Sequence, residues 1–284
     1  MRVSEQQPSA CRVCDKPIRE PVDWIVTPNC DDPVPVYRCK SCNHYSLFPD
    51  QYQQQKSFEW DGVGFYLRDR TQREAAARQI LARLCRVYRN KNHCPPKSFL
   101  DAGCAIGLTL LIAESQGMNA TGIEPEVRLA EYGRTTLQVD VRHGMLSDFD
   151  PPEQVFDLIY CEQVLEHVAQ PALFLKKLVE LLAPNGLIYI GVPPVFPLNH
   201  LSTFMIRNMQ LPLPSSAVTN IFQDPDEHVS VFTRRSMLWL AEHCGLDLKP
   251  LPLTLSTLTP KRLARLVLTV GASPGTYLLS RKAV

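Results

Sequence analysis

The stretch Phe99-Leu-Asp-Ala-Gly-Cys-Ala-Ile-Gly107 decides the fold. It reads as a short apolar strand that ends on an acid and breaks into a glycine turn. A helix follows at once, Leu108-Thr-Leu-Leu-Ile-Ala-Glu-Ser-Gln116, with Gly117 as its C-terminal stop. Glycines in such a turn let main chain approach a ligand closely, and the first turn of the helix offers N–H groups without intrahelical partners. Strand, glycine turn and helix together form the first half of a nucleotide-type site.

The residues also say which nucleotide. A dinucleotide fingerprint, G-x-G-x-x-G, needs glycine where this chain has Ala105 and Leu108. Asp101 stands at the strand end, where its charge would repel a pyrophosphate. A cofactor with a cationic end suits that acid, and S-adenosylmethionine (SAM) carries both an ammonium and a sulfonium. The next strand-like segment, Asn119-Ala-Thr-Gly-Ile123, ends at Glu124, roughly 20 residues after the turn, the spacing of a carboxylate that holds ribose hydroxyls. The pattern Asp-x-Gly-Cys-x-x-Gly followed by Gly-Ile-Glu-Pro125 resembles motifs I and II of class I SAM-dependent methyltransferases.

The resemblance extends over roughly residues 65–284. Val155 to Cys161 resembles the fourth strand of that family, and Glu162-Gln-Val-Leu-Glu-His-Val168 the segment after it. Pro171 to Leu182 has helical period, Pro184-Asn-Gly186 reads as a turn, and Leu187 to Val192 as a fifth strand. His228 to Thr233, then Arg234 to Cys244 and Gly245, resembles a late strand-turn-helix of the ubiquinone-type methylases and of many sugar and natural-product methyltransferases. The resemblance implies an α/β fold: a Rossmann-like sheet with helices on both faces. It implies that SAM is held by Asp101, Gly103, Cys104, Gly107, Glu124, Pro125, Met145, Leu146, Cys161 and Glu162. Relatives often carry an acid after Gly144; here Met145 takes its place, which leaves adenine to apolar contact, backbone groups or Asp148.

Ahead of this region lie two C-x-x-C pairs, Cys11-Arg-Val-Cys14 and Cys39-Lys-Ser-Cys42. Each turn brings two thiolates to one side of a metal, and two turns complete a tetrahedron. Zn²⁺ on Cys11, Cys14, Cys39 and Cys42 is therefore expected, as a structural ion, because a closed set of four thiolates leaves no open position. Cys30 and His44 are substitute ligands, and the remaining cysteines read as free thiols. The proline- and aspartate-bearing segment between the pairs (Pro28, Asp31-Asp32, Pro33, Pro35) reads as loop. About 50 residues have too little core to be secure alone, and a metal offsets that. Zinc-binding modules of this kind also precede the SAM domain in some sugar methyltransferases and some ribosomal RNA methyltransferases.

A chain of 284 residues with net charge +1 can bury a sizeable core and shows no global signal for nucleic acid. No apolar run spans a membrane and the start has no signal-peptide core, so a cytoplasmic protein is expected. The expected organisation is a zinc-ribbon-like module at 1–50, a connector and N-terminal helix at 51–97, and the SAM domain at 98–284 with an acceptor-binding insert at 193–228. The helix, Thr71 to Tyr88, has Ala77, Ile80, Leu81, Leu84 and Tyr88 on one face, and Tyr66 and Arg70 before it could close over the cofactor. The insert is rich in proline and aromatics (Phe196, Phe204), and a basic helix is expected over Pro260 to Leu268 before a last strand, Thr276 to Ser280.

Methyl transfer to a hydroxyl needs a base, and the base candidates are His167, Glu166, His200 and His228, with His167 first. Some ubiquinone-type methylases bind a divalent metal through acid-x-x-Glu-His. Here Gln163 stands at the first acid, so no catalytic Mg²⁺ is expected. The sequence thus favours a methyltransferase acting on a small-molecule acceptor, a sugar or natural-product intermediate, on oxygen. An RNA methyltransferase with a zinc ribbon is the alternative, disfavoured because acids balance bases in residues 1–60. A SAM- and zinc-binding interaction protein without turnover is the other. Nothing in the sequence sets the oligomeric state.

Overall fold

The computed structural model describes residues 10–27, 30–47, 61–150, 155–193, 228–251 and 275–282. The acceptor insert between 194 and 227, with His200, and the helix expected over Pro260 to Leu268 lie outside the described residues. The strands are β1 (Pro21–Thr27), β2 (Cys30–Arg38), β3 (Tyr45–Leu47), β4 (Ser98–Ala102), β5 (Asn119–Glu124), β6 (Val141–His143), β7 (Phe156–Glu162), β8 (Leu182–Gly191), β9 (Ser230–Val231), β10 (Leu246–Pro250) and β11 (Thr276–Arg281). The helices are α1 (Gly62–Arg68), α2 (Arg70–Asn92), α3 (Leu108–Ser115), α4 (Val127–Tyr132), α5 (Pro171–Glu180) and α6 (Arg234–His243).

Seven strands form one sheet in the order β10-β11-β8-β7-β4-β5-β6. The pairings β6-β5-β4-β7-β8 are parallel, and β11 enters antiparallel between β8 and β10. Alternation along the strands sorts the core into two layers. Phe99, Leu158, Tyr160, Leu187 and Tyr189 pack with Leu81 and Leu84 of α2 and Leu110 of α3. Their neighbours Leu100, Ile159, Cys161, Ile188 and Ile190 pack with Leu175 and Leu178 of α5 and Met237 and Leu240 of α6. Strands covered on both faces read as continuous apolar runs, as these do. The expected Rossmann-like sheet with helices on both faces is what forms.

The helix expected over Thr71 to Tyr88 is longer, Arg70–Asn92, and buries Ala77, Leu81, Leu84 and Tyr88 as its spacing requires. It is preceded by α1, whose start is fixed by Asp61, the side chain accepting from the Gly64 N–H at 2.8 Å. The turn expected at Pro184-Asn-Gly186 is absorbed into β8 as an irregularity: pairing jumps from Phe156↔Leu182 to Leu158↔Leu187.

One sequence reading is corrected in the N-terminal region. The segment between the C-x-x-C pairs is a β-hairpin, β1 with β2, and not a loop. Its prolines are tolerated because β3 pairs only with Val36 to Arg38, so at Pro33 and Pro35 strand β2 has a neighbour on one side alone. The late strand read at 228–233 forms at Ser230–Val231. Its paired part, β9, does not join the large sheet; it adds to the N-terminal sheet, whose order is β1-β2-β3-β9.

At the end of the sheet away from the glycine turn, one carboxylate joins three elements. Asp157 of β7 accepts from Tyr88 Oη–H of α2 at 2.6 Å and from the Lys97 and Ser98 N–H groups at 2.7 and 3.2 Å. Replacing Asp157 by Ala strands these donors and should cost about 2–4 kcal/mol of unfolding free energy by denaturant titration. Ligand affinity at the opposite end of the sheet should not change.

Candidate functional site

The carboxyl ends of β4, β5, β6 and β7 gather at one rim, where ligands bind in open parallel sheets. The turn after β4 is built from left-handed residues: Gly103 (φ 86°), Ala105 (φ 49°) and Gly107 (φ 87°). Gly103 is obligatory twice over, since a Cβ there would lie 2.4 Å from Val164 Cγ2. The Gly103 and Cys104 N–H groups donate to Ile123 O at 2.9 and 3.1 Å and lock the turn to β5. Ala105 uses its unusual conformation to aim its N–H at Glu124 Oε2, 2.8 Å away, while Glu126 N–H donates to Oε1 at 2.9 Å.

The two acids singled out from sequence thus sit in different states. Glu124 is held by two main-chain donors. Asp101 is 2% exposed and its Oδ1 has no hydrogen-bond partner. Burial pushes its carboxyl up to about 8; a hydrogen bond with Thr109 pulls it down, and the charges of Glu124 and Glu162 push it further up. Burial also raises the carboxyl of Glu162, which ends β7. Cys104 and Cys161 are buried thiols whose pKa values burial raises, so neither is a nucleophile.

Beyond β6 the rim opens into a cleft of about 270 Å³ lined by Ile123, His143, Gly144, Met145, Asp148 and Phe149, among others. Met145 is exposed, Leu146 is buried, and His143 Nε2 lies 3.2 Å from Pro125 O. Met145 and Asp148 therefore border one hollow, with Asp101 and the Gly103 turn two strands away along the same rim.

After β7 the chain turns sharply through Gln163 (φ 55°), whose N–H donates to Gly191 O at 2.8 Å. The one-turn helix Leu165–His167 follows. Glu166 is fully buried, both carboxylate oxygens lack hydrogen-bond partners, and burial pushes its carboxyl up to about 8. His228 Nε2 lies 4.0 Å from Glu166 Oε1, and the His228 and His167 rings meet edge-on at 4.7 Å. One ligand atom from each of Glu166, His167 and His228 falls within 4.8 Å of the others. His167 and His228, two of the three histidines picked from sequence, are thus brought together with a buried acid between them and the core; His200 is outside the described residues. The closeness of Glu166 and His228 had no local signal, because 62 positions separate them.

The four cysteines Cys11, Cys14, Cys39 and Cys42 are buried, with Cys11–Cys42 and Cys14–Cys39 sulfurs 3.5 and 3.4 Å apart. The two turns are copies of one another. In each, the first cysteine N–H donates five residues on (Cys11 to Lys16 O, Cys39 to His44 O), and its carbonyl accepts four residues on (from Asp15 and Asn43), all at 2.9 Å. In each, the residue after the second cysteine is left-handed (Asp15 φ 53°, Asn43 φ 61°). Such a set fits a tetrahedral thiophilic ion. His44 is not a member: it is fully buried against the Phe232 ring at 4.8 Å.

Residues 69–251 match the family described as Methyltransferase domain, and the chain belongs to that family, whose fold is the class I fold of SAM-dependent methyltransferases. Among curated proteins, the ubiquinone biosynthesis O-methyltransferase of Bradyrhizobium diazoefficiens is 30% identical over 124 residues, 42% of this chain and 47% of that one. That of Hydrogenovibrio crunogenus is 26% identical over 168 residues, 55% of this chain and 67% of that one. The chain spans about half the length of the first of these relatives. Among solved structures, the plantazolicin methyltransferase BpumL in complex with SAH matches with a TM-score of 0.53 at 14% identity, covering 82% of this chain and 94% of that one. A SAM-bound amino pentose methyltransferase from Micromonospora echinaspora matches with a TM-score of 0.51 at 13% identity, covering 76% and 97%. At these identities the structures speak for the fold.

Proposed function

We propose that this protein transfers the methyl group of SAM to a hydroxyl of a small polar acceptor, a sugar or natural-product intermediate. The observation that carries the SAM reading is Asp101: a buried carboxylate with one unpartnered oxygen, beside a left-handed turn, whose charged neighbours Glu124 and Glu162 are acids too. Such a group calls for a cation. Asp101 takes the ammonium end, Glu124, Pro125 and the Gly103-Cys104-Gly107 turn take the ribose side, and Met145 and Leu146 flank the base. Cys161 and Glu162 form the floor at the end of β7. SAM supplies an already activated methyl group. The protein supplies orientation, exclusion of water and a place for the acceptor's proton.

For the proton, His167 and His228 stand at the mouth of the turn after β7. Glu166 lies behind them; in its ionised form it favours the protonated imidazole that deprotonation of a hydroxyl creates, and its raised pKa lets it take up that proton in turn. His200 and the rest of the insert 193–228 are assigned to the acceptor. The N-terminal 50 residues act as a module built on structural Zn²⁺, ahead of the connector and helix of 51–97 and the SAM domain of 98–284. The small-molecule reading is supported by the small-molecule enzymes among its relatives and by the near-neutral charge of the chain. No described helix is long and apolar enough to cross a membrane.

Calorimetry tests the cofactor. Asp101 must be ionised to pair with an ammonium, and its folded pKa is raised to about 8. SAM affinity should therefore rise by up to about tenfold per pH unit between pH 6 and 8, with proton release. Asp101→Asn should bind weakly and lose that dependence; failure of the native protein to bind SAM or SAH refutes the reading.

Metal analysis tests the module: purified protein should carry about one zinc per chain, and chelation should lower its thermal midpoint. A metal-free protein of unchanged stability sinks this assignment.

The base is tested once an acceptor has been found by SAM-dependent mass gain in a metabolite extract. His167→Asn and His228→Asn should each be assayed, and replacing the base should slow turnover by roughly 10²–10⁴-fold at unchanged SAM affinity. Full turnover in both variants would remove the pair from the chemistry.

A further inference from the structure

The two parts of the molecule meet in a closed circuit of hydrogen bonds. Arg12 lies inside the first C-x-x-C turn, whose shape is fixed by the Cys11 N–H to Lys16 O and Asp15 N–H to Cys11 O bonds. Its guanidinium reaches out with two arms. Nη2–H donates to Leu47 O, the last residue of β3, at 2.9 Å; Nη1–H donates to Ala169 O, just past the His167 turn, at 3.2 Å. Leu47 N–H donates to Val229 O at 2.9 Å, and Val229 N–H donates to Glu166 O at 3.0 Å. Four chain positions from Glu166 to Ala169 close the ring.

Val229 is therefore a rivet. Its carbonyl is fixed by the cysteine module and its N–H by the turn that carries Glu166 and His167, and the residue before it is His228. On its other edge β3 is held by the module, through Val36 to Arg38 of β2 and the Cys39 N–H to His44 O bond at its start, while Ser230 and Val231 of β9 continue the pairing on the Val229 side. Val229, Leu47 and Glu166 are all buried, so breaking either of the two main-chain bonds of the circuit would leave unsatisfied main-chain groups, whereas Ala169 is exposed.

We infer that Arg12 is a positioning residue: it couples the cysteine module to the Glu166–His167–His228 cluster through Leu47 and Val229. The planar fork of an arginine is what lets one side chain hold two carbonyls from different elements. The module then has a task beyond adding stability. It sets the distance between His228 and Glu166, so the state of the metal reaches the acceptor side of the site while the SAM turn, locked to β5, stands apart. This inference rests on the proposed role of the cluster and of the metal.

Amide hydrogen exchange on the full chain, metal-loaded as purified, tests it by comparing the native protein with Arg12→Ala and with chelator-stripped native protein. In both, the Leu47 and Val229 amides should exchange about tenfold faster or more, while the Gly103 and Cys104 amides and SAM affinity stay within about twofold. The imidazole NMR signals of His167 and His228 should shift together. Unchanged protection at Leu47 and Val229 in Arg12→Ala overturns the inference. So does an equal loss at Gly103 and Cys104, which would make Arg12 a contributor to global stability alone. Should Arg12→Ala fail to fold, Arg12→Lys, which keeps the charge without the fork, serves with the same readouts. Absence of bound metal or of SAM binding would refute the proposed function, whereas the Arg12→Ala comparison at the Leu47 and Val229 amides is read independently of both.

Discussion

A carboxylate removed from water must find donors or a positive charge, and the rim of this sheet is organised around acids that solve that problem differently. Glu124 is satisfied from within, by the Ala105 and Glu126 N–H groups. Asp101, at the end of the neighbouring strand, keeps an oxygen without a partner, and Glu162 adds negative charge from β7. A fold that retains a buried, unbalanced acid gives up stability there. It is recovered when a cation arrives, which makes ligand binding and folding draw on the same group. The left-handed Ala105 sits in the same turn and donates its N–H to Glu124.

Backbone strain marks the functional regions with some economy. Among the described residues six non-glycine positions have positive φ. His93 and Gln138 end helices, where the left-handed conformation is ordinary. The other four are Ala105 and Gln163 at the rim and Asp15 and Asn43 behind the cysteine turns. Each of these costs something for a side chain to adopt. Each is held by a main-chain hydrogen bond: Ala105 to Glu124, Gln163 to Gly191 O, Asp15 and Asn43 to the first cysteine of their own turn. The strain sits where groups converge on a point, the proposed cofactor site in one case and the proposed metal site in the other.

Much of this was legible in the sequence because it is local. The acid, the glycine turn and the second acid lie within 101–124 and announce a strand-turn-helix-strand unit; the C-x-x-C spacing announces paired thiols. The face of α2 was readable from its period. What could not be read depends on tertiary placement. Pro33 and Pro35 looked like loop residues, and only the shortness of β3 explains why a strand accepts them. The segment at 228–233 carries the alternation of any strand, and nothing local says which sheet it joins. Arg12 is one basic residue in a cysteine turn until Leu47 and Ala169 are brought to it.

The placement of β9 also bears on why a module held by so small a core should be attached at all. A three-stranded sheet that simply preceded the domain would contribute little to the distant rim. By accepting Ser230 and Val231 as its fourth strand, it ties down the chain two residues after His228, whose ring lies 4.0 Å from the buried Glu166. The cluster then inherits its geometry from two sources: the parallel sheet fixes Glu166 and His167 through the end of β7, and the cysteine module fixes His228. An imidazole placed by one element against an acid placed by another can be moved without disturbing the cofactor turn. On the proposed assignment of the cluster to the acceptor, the acceptor half of the site is therefore the half open to adjustment.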